Sequence, residues 1–121
     1  MTQEQKDLLL KDLCGRLTYG VKVKFGDSKP ALLTVIEHDE FGWQIGSEDE
    51  FGGMITIIDN VKPYLFPLSS MTEEQKEDMI KSSCGIGSDK NVFDWWNKNH
   101  FDYRGLIPMG LAKDATGLKI Y

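Results

Sequence analysis

The chain has 121 residues and a formal net charge of −5, and 40% of its residues are hydrophobic and 27% charged. This composition is typical of one globular domain spanning residues 1–121 and excludes an intrinsically disordered chain. No run approaches the roughly 20 apolar residues of a membrane helix, and the first residues lack a signal-peptide pattern. We therefore expect a cytoplasmic protein without a membrane partner.

The negative charge is concentrated between residues 37 and 50. Its carriers there are Glu37, Asp39, Glu40, Glu48, Asp49 and Glu50. An acidic surface of this kind repels phosphate backbones, which argues against non-specific nucleic-acid binding.

A helix is predicted at the start of the chain. Thr2 and Gln5 have the spacing of a capping box, in which two side chains satisfy backbone N–H groups of the first turn. Apolar residues at helical spacing follow, namely Leu9, Leu10, Leu13 and Leu17. The pattern predicts a helix over about 3–15 with a leucine face that packs on the core.

A sheet is predicted over about 21–58. Apolar runs at 21–25, 31–36, 41–45 and 54–58 are separated by Asp, Glu and Gly segments of hairpin length. A four-stranded antiparallel meander fits them, either as an open sheet or curled into a half-open barrel.

Two further helices are predicted after the sheet. Pro63 and Pro67 indicate an irregular crossover between strand and helix. Ser70 or Thr72 is predicted to cap a helix over about 72–83, with Gly85 as the C′ residue that follows it. A loop over 85–90 and a helix over 91–99 follow, with Asn91 as its cap. The predicted fold is α+β, with the sheet covered by the N-terminal helix and these two helices.

Residues 1–15 and 71–85 align without gaps and share eight identities. Convergence on a common helix-start pattern accounts for this, while a true duplication would predict two similar halves. The strand-rich stretch after Gly15 has no counterpart after Gly85, which favours convergence.

Catalytic and metal-binding patterns are weak. Cys14 and Cys84 are too few for a disulfide scaffold or a cysteine-based zinc site, and we expect free, partly buried thiols. The two histidines, His38 and His100, lack metal-site spacing, so no metal and no cofactor are predicted. A cysteine with His100 and Asp102 could form a nucleophilic site, but no local signature supports it. The sequence thus favours a protein that is not an enzyme.

The strongest local feature is an aromatic block after residue 91. Its candidate binding residues are Trp95, Trp96, His100, Tyr103 and Arg104. One interpretation is that the block packs against the sheet, because aromatic side chains dominate cores by area. The other is an interface anchor, because Trp, Tyr and Arg are enriched in binding hot spots.

Several segments together carry a family resemblance. They are NKNHFDYRGLIPMGLA at 97–112, LLLKDL at 8–13, YGVKV at 19–23, DNVKPYL at 59–65 and SSMTEE at 69–74. They resemble segments of short uncharacterised proteins found in gut Bacteroidales and in their phages and mobile elements. Thr18 departs from the pattern, where proline is expected. The resemblance implies a variable middle, about 25–58, between recurrent ends, and it implies no activity and no catalytic residue.

Three functional hypotheses follow. The first is a non-enzymatic accessory or regulatory protein, phage- or mobile-element-derived, that acts through protein–protein contacts. The second is a small-ligand or enzymatic pocket lined by Trp43, Cys84, His100, Asp102 and Arg104. The third is single-stranded nucleic-acid binding by a small barrel, which normally needs a basic groove.

Overall fold

The protein is α+β in its computed structural model, as the sequence predicts, and the structure describes residues 1–26, 29–40, 42–49, 52–82 and 88–121. The helices are α1 (Gln3–Arg16), α2 (Glu73–Ser82) and α3 (Ser88–Lys98). The strands are β1 (Lys22–Phe25), β2 (Ala31–Asp39), β3 (Gly42–Asp49), β4 (Gly52–Ile57), β5 (Val61–Pro67), β6 (Phe101–Asp102) and β7 (Lys113–Asp114). None of the helices in these ranges is long and apolar enough to cross a membrane.

The strands form one open sheet in the order β4-β3-β2-β1-β5-β6, with β7 also paired to β5. Strands β1 to β4 are the predicted antiparallel meander, and β1 pairs antiparallel with β5. The short strands β6 and β7 run parallel to β5. The sheet is open and does not close on itself.

The predicted irregular crossover at residues 63–67 is wrong, because this segment is strand β5. Pro63 lies opposite Val23 of β1. Gly26 N donates to Asn60 O on the side of β1. The main-chain N–H and C=O groups of successive residues in a strand point to opposite sides. Asn60 points toward β1, so Pro63, three residues later, points away from it. The absence of an N–H on this proline therefore removes no hydrogen bond between β1 and β5.

The helix starts follow their capping boxes. Thr2 Oγ1 accepts a bond from Gln5 N at 3.1 Å, and Thr72 Oγ1 accepts one from Gln75 N at 3.1 Å. Thr72, not Ser70, therefore caps α2. The predicted start of the third helix is wrong: α3 begins at Ser88, which places the predicted loop residues 88–90 and Asn91 inside the helix. The predicted end of α2 at about residue 83 and its C′ residue Gly85 lie outside the described residues.

Helix α1 covers the inner face of the sheet. Its Leu9 and Leu13 are fully buried against apolar side chains of the sheet and of the segment after β6. These core residues are Val21, Val23, Phe25, Leu33, Ile45, Ile58, Val61, Leu65, Leu106, Leu111 and Ala112.

Cys14 is a free cysteine, as predicted, but it is exposed and not partly buried. It lies three residues after Lys11 and seven after Asp7, on the solvent side of α1. Cys84 lies outside the described residues.

Candidate functional site

A buried ion pair lies beneath the aromatic block. Asp12 and Arg16 are four residues apart on α1, and both are 0% exposed. Arg16 Nε donates to Asp12 Oδ2 at 2.9 Å. Arg104 Nε donates to the other oxygen, Asp12 Oδ1, at 3.2 Å, so a single carboxylate bridges two guanidinium groups.

Arg16 also connects α1 to the chain on both sides of residue 100. Its Nη2 donates to the carbonyl of Phe101 at 2.6 Å, and its Nη1 donates to that of Trp96 at 3.4 Å. Burial raises the pKa of Asp12, while the charge and hydrogen bond of Arg16 and the charge of Arg104 lower it. Burying Asp12 and Arg16 therefore carries a large desolvation cost, and the hydrogen bonds and ion pairs to each charge offset it.

Tyr103 lies against both arginines. The Cζ atoms of Arg104 and Arg16 are 4.6 and 5.3 Å from its ring centroid. Its hydroxyl donates to Asn97 Oδ1 at 2.9 Å, and its ring stacks on Trp96 with centroids 5.3 Å apart. Three of the predicted binding residues, Trp96, Tyr103 and Arg104, are thus half-buried and already engaged within the chain.

Trp95 is buried and joins three elements. Its ring stacks on Phe101 of β6 with centroids 5.6 Å apart. Its Nε1 donates to Asp78 Oδ2 of α2 at 2.8 Å. Helix α2 buries none of its own residues, so this side chain is a main attachment of α2 to the domain.

His100 occupies a left-handed turn with φ 64° and is 9% exposed. Its ring stacks on Tyr121 with centroids 3.8 Å apart, and its carbonyl accepts a bond from Phe66 N at 2.8 Å. Burial, with a smaller effect of the Arg16 charge, lowers the pKa of His100 to about 4. The imidazole is therefore neutral at pH 7.

This lowered pKa predicts acid sensitivity. The histidine of the unfolded chain has a pKa near 6.5, so between about pH 6.5 and 4 the unfolded chain binds more protons than the folded one. The stabilisation of the fold by neutral His100 is therefore complete above about pH 6.5 and is lost as the pH falls toward 4. Allowing for solvent screening, we expect a loss of about 1–2 kcal/mol in the free energy of unfolding.

The comparison is urea unfolding at pH 7 and about pH 4.5 for the wild type and His100→Asn. Asn tolerates a left-handed φ and does not titrate. The carboxylates titrate in both proteins, so subtracting the pH profile of the variant removes their contribution to the change in stability. Identical pH profiles for the two proteins would contradict the prediction.

Asp102 is buried and closes the turn that follows β6. Its Oδ1 accepts from Leu106 N at 2.8 Å, and its Oδ2 accepts from Ile107 N at 2.9 Å. Both carboxylate oxygens hold backbone N–H groups, as in a capping interaction. Asp102 is thus placed to fix the turn that carries Leu106 into the core.

The residues of the second hypothesis are not brought to one cleft. Trp43 lies on β3 beside the first turns of α1, where it lines a cavity of about 240 Å³ with Gln3 and Leu10. His100, Asp102 and Arg104 lie near the other end of α1 and have the internal contacts given above. Cys84 lies outside the described residues. Within the described ranges, no three His, Cys, Asp or Glu side chains are placed to hold a metal ion.

An apolar surface that the sequence analysis missed lies on the outer face of the sheet. Antiparallel register partners share a face, and Leu33 opposite Ser47 and Ile36 opposite Ile45 define the inner one. The residues that alternate with these along each strand point to the opposite, outer face, and four large apolar side chains on that face are exposed. They are Leu32 at 40%, Val35 at 42%, Ile55 at 63% and Ile57 at 46%. We call these four residues the outer apolar patch.

The register places the patch across three strands. Val35, Gly46 and Ile55 form one row across β2, β3 and β4, and Glu37, Gln44 and Ile57 form the next. The signal was present in the sequence: Leu32 and Leu33, and then Val35 and Ile36, are apolar at adjacent positions, whereas a strand covered on one face alternates between apolar and polar residues.

The protein is thus a small α+β protein with an open, mostly antiparallel sheet that α1 covers on its inner face. No family model matches the chain, and comparisons with curated proteins and with solved structures also found no match.

Proposed function

We propose that the protein is a non-enzymatic accessory or regulatory protein, derived from a phage or mobile element, that acts by binding another protein through the outer apolar patch and strand β4. The observation that carries the proposal is the exposed apolar edge of the sheet. The resemblance to Bacteroidales phage and mobile-element proteins supports the origin.

Strand β4 is the outermost strand of the sheet and, within the described residues, pairs with β3 alone. Natural proteins protect such edges with Lys, Pro or other charged residues, because an open edge pairs readily with another chain. The sequence of β4, GGMITI, contains no charged residue and no proline. Its exposed Ile55 and Ile57 add apolar contact area beside the edge.

The surroundings of the patch favour a partner of particular chemistry. Exposed carboxylates lie on both sides of the row formed by Val35, Gly46 and Ile55. On one side Glu48 lies opposite Leu32, and on the other Glu37 lies in the row of Ile57. An extended segment added along β4 gains backbone hydrogen bonds, and its side chains give specificity. We propose that this segment carries apolar side chains with Lys or Arg beyond them, because these charges complement the bordering carboxylates.

The aromatic block has a supporting role in this proposal. Trp95 and Asp102 are buried, and Arg104 is paired with Asp12. These contacts leave little of their surface for a partner, so we place the recognition surface on the sheet.

The proposal is tested by capture from a gut Bacteroidales lysate with a photo-crosslinking amino acid at position 55. We expect one defined protein to crosslink from position 55 and not from position 109, because Met109 is also exposed, at 46%, but lies in the turn after β6, outside the sheet. Peptide mapping should place the crosslink in an extended apolar segment flanked by basic residues. No crosslinked protein, or equal crosslinking from both positions, would contradict the proposal.

Sedimentation of the purified chain separates a partner from a second copy. We expect a monomer, because a second copy would bring the carboxylates Glu37 and Glu48 of both chains to the border of one contact, where like charges repel. A dimer that Ile55→Lys dissociates would replace the proposed partner by a second copy of this chain.

A further inference from the structure

A cluster of three lysines lies on the outer face of the sheet, on strands β1, β5 and β7. Lys24 of β1 and Lys62 of β5 are register partners, so their side chains project from the same face. Lys113 of β7 pairs with Tyr64, two residues along β5 from Lys62. All three lysines line one cavity of about 300 Å³, together with Gly26, Asp59 and Asn60.

The three ammonium groups have no partner in the described part of the chain: none of them donates a hydrogen bond or forms an ion pair there. One carboxylate, that of Asp59, also lines the cavity, and its Oδ1 pairs with Lys6 Nζ at 3.4 Å. Each of the three residues is half-buried.

This arrangement works against stability. Like charges directly opposite each other on neighbouring strands destabilise a sheet, and Lys24 and Lys62 are such a pair. The cluster also stands out in a chain whose net charge is −5. An unfavourable concentration of one charge in a cavity is what an oppositely charged ligand would relieve.

We propose that Lys24, Lys62 and Lys113 form a binding site for a small phosphate-bearing anion. Lysine binds phosphate as a compact point charge with three donors, and a multiply charged phosphate group can engage several ammonium groups at once. The cavity volume lies at the lower end of the range for small-molecule sites. The site requires no partner protein, so it stands independently of the proposed contact at β4.

The test is titration of the purified full chain with pyrophosphate, followed by calorimetry and by the melting temperature. We expect binding that raises the melting temperature and weakens with added salt. Lys24→Gln, Lys62→Gln and Lys113→Gln should each weaken binding about tenfold, the loss of one charge-assisted contact. Lys11→Gln, a change at an exposed lysine on α1, is the matched control and should bind as the wild type does.

Further arms identify the ligand source and the competing explanations. Equal affinity for pyrophosphate and a nucleoside diphosphate assigns the site to the inorganic anion, and tighter binding of the diphosphate assigns it to an organic phosphate. No response to pyrophosphate at millimolar concentration, an equal loss in Lys11→Gln, or binding of a single-stranded oligonucleotide alone would overturn the proposal.

The free protein provides one more readout. Lys24→Gln and Lys62→Gln should each raise its melting temperature, because each removes a repulsion between opposed charges. A lowered melting temperature would show that these lysines stabilise the fold, and it would overturn the assignment.

Discussion

Replacing Asp12 by Ala is expected to destabilise the fold by about 3–5 kcal/mol, the usual cost of breaking a buried ion pair from one side. The variant leaves Arg16 fully buried without its carboxylate and removes the partner of Arg104. Arg16 retains only the carbonyl groups of Trp96 and Phe101 as acceptors, and neither carries a full charge. Urea unfolding measures the loss.

Two further variants show whether the loss comes from the unpaired charge. Lys11→Ala removes an exposed side chain of the same helix and should change the free energy of unfolding by less than about 0.5 kcal/mol. The double variant Asp12→Leu/Arg16→Met replaces both charges with apolar groups and should lose less than Asp12→Ala does. A loss in Asp12→Ala no larger than in Lys11→Ala would show that the pair does not hold α1 to the rest of the domain.

Trp95→Ala should cost about 3–5 kcal/mol, as expected for deleting a buried aromatic side chain. The change removes the stack on Phe101 and the hydrogen bond to Asp78, so we also expect faster amide exchange along α2. Trp95→Phe retains a ring next to Phe101 but loses the indole donor, and a cost of about 1–2 kcal/mol should result.

The control for this series is Trp43→Ala, because Trp43 is 41% exposed on β3. Its loss should be well below that of Trp95→Ala, since less apolar surface returns to water. Equal losses in the two variants, or unchanged exchange along α2 in Trp95→Ala, would contradict the role assigned to Trp95.

The parts of the fold that were predictable are those with local signals. The two Thr-to-Gln capping boxes gave the starts of α1 and α2, because a cap depends on residues within one helical turn. The meander followed from short apolar runs between breaks of hairpin length. Strand β5 was missed because prolines within a run argue against a strand. Proline excludes a strand position only where the backbone nitrogen would have to donate a hydrogen bond to a neighbour, and whether that holds for Pro63 depends on which strands pair with β5.

The candidate site was less accessible to sequence reasoning. Asp12 and Arg16 have the spacing of an ordinary surface ion pair, and their partner Arg104 is remote in the chain. Their position among Leu9 and Leu13 was the available signal, because charged residues on a leucine face must be paired when the face is buried. The aromatic block was correctly recognised as large side chains that need burial, but its internal partners could not be read from spacing.

The outer apolar patch depends on a global property of the fold. Leu32 and Leu33 are adjacent and chemically identical, yet Leu33 is buried and Leu32 is exposed. The difference comes from which face of the sheet α1 covers, which no local pattern specifies. The lysine cluster is similar, because Lys24, Lys62 and Lys113 come together only through the pairing of β1, β5 and β7.

The most direct test of partner binding at β4 is the dissociation constant of the captured protein for the wild type and for Ile55→Lys. Ile55 is the most exposed residue of the outer apolar patch, so the variant should fold with little change in stability. A lysine there would place an unpaired charge within an apolar contact, and we expect binding to weaken at least about tenfold, while Met109→Lys binds as the wild type does. Equal affinity of the wild type and Ile55→Lys would contradict recognition through this face of the sheet.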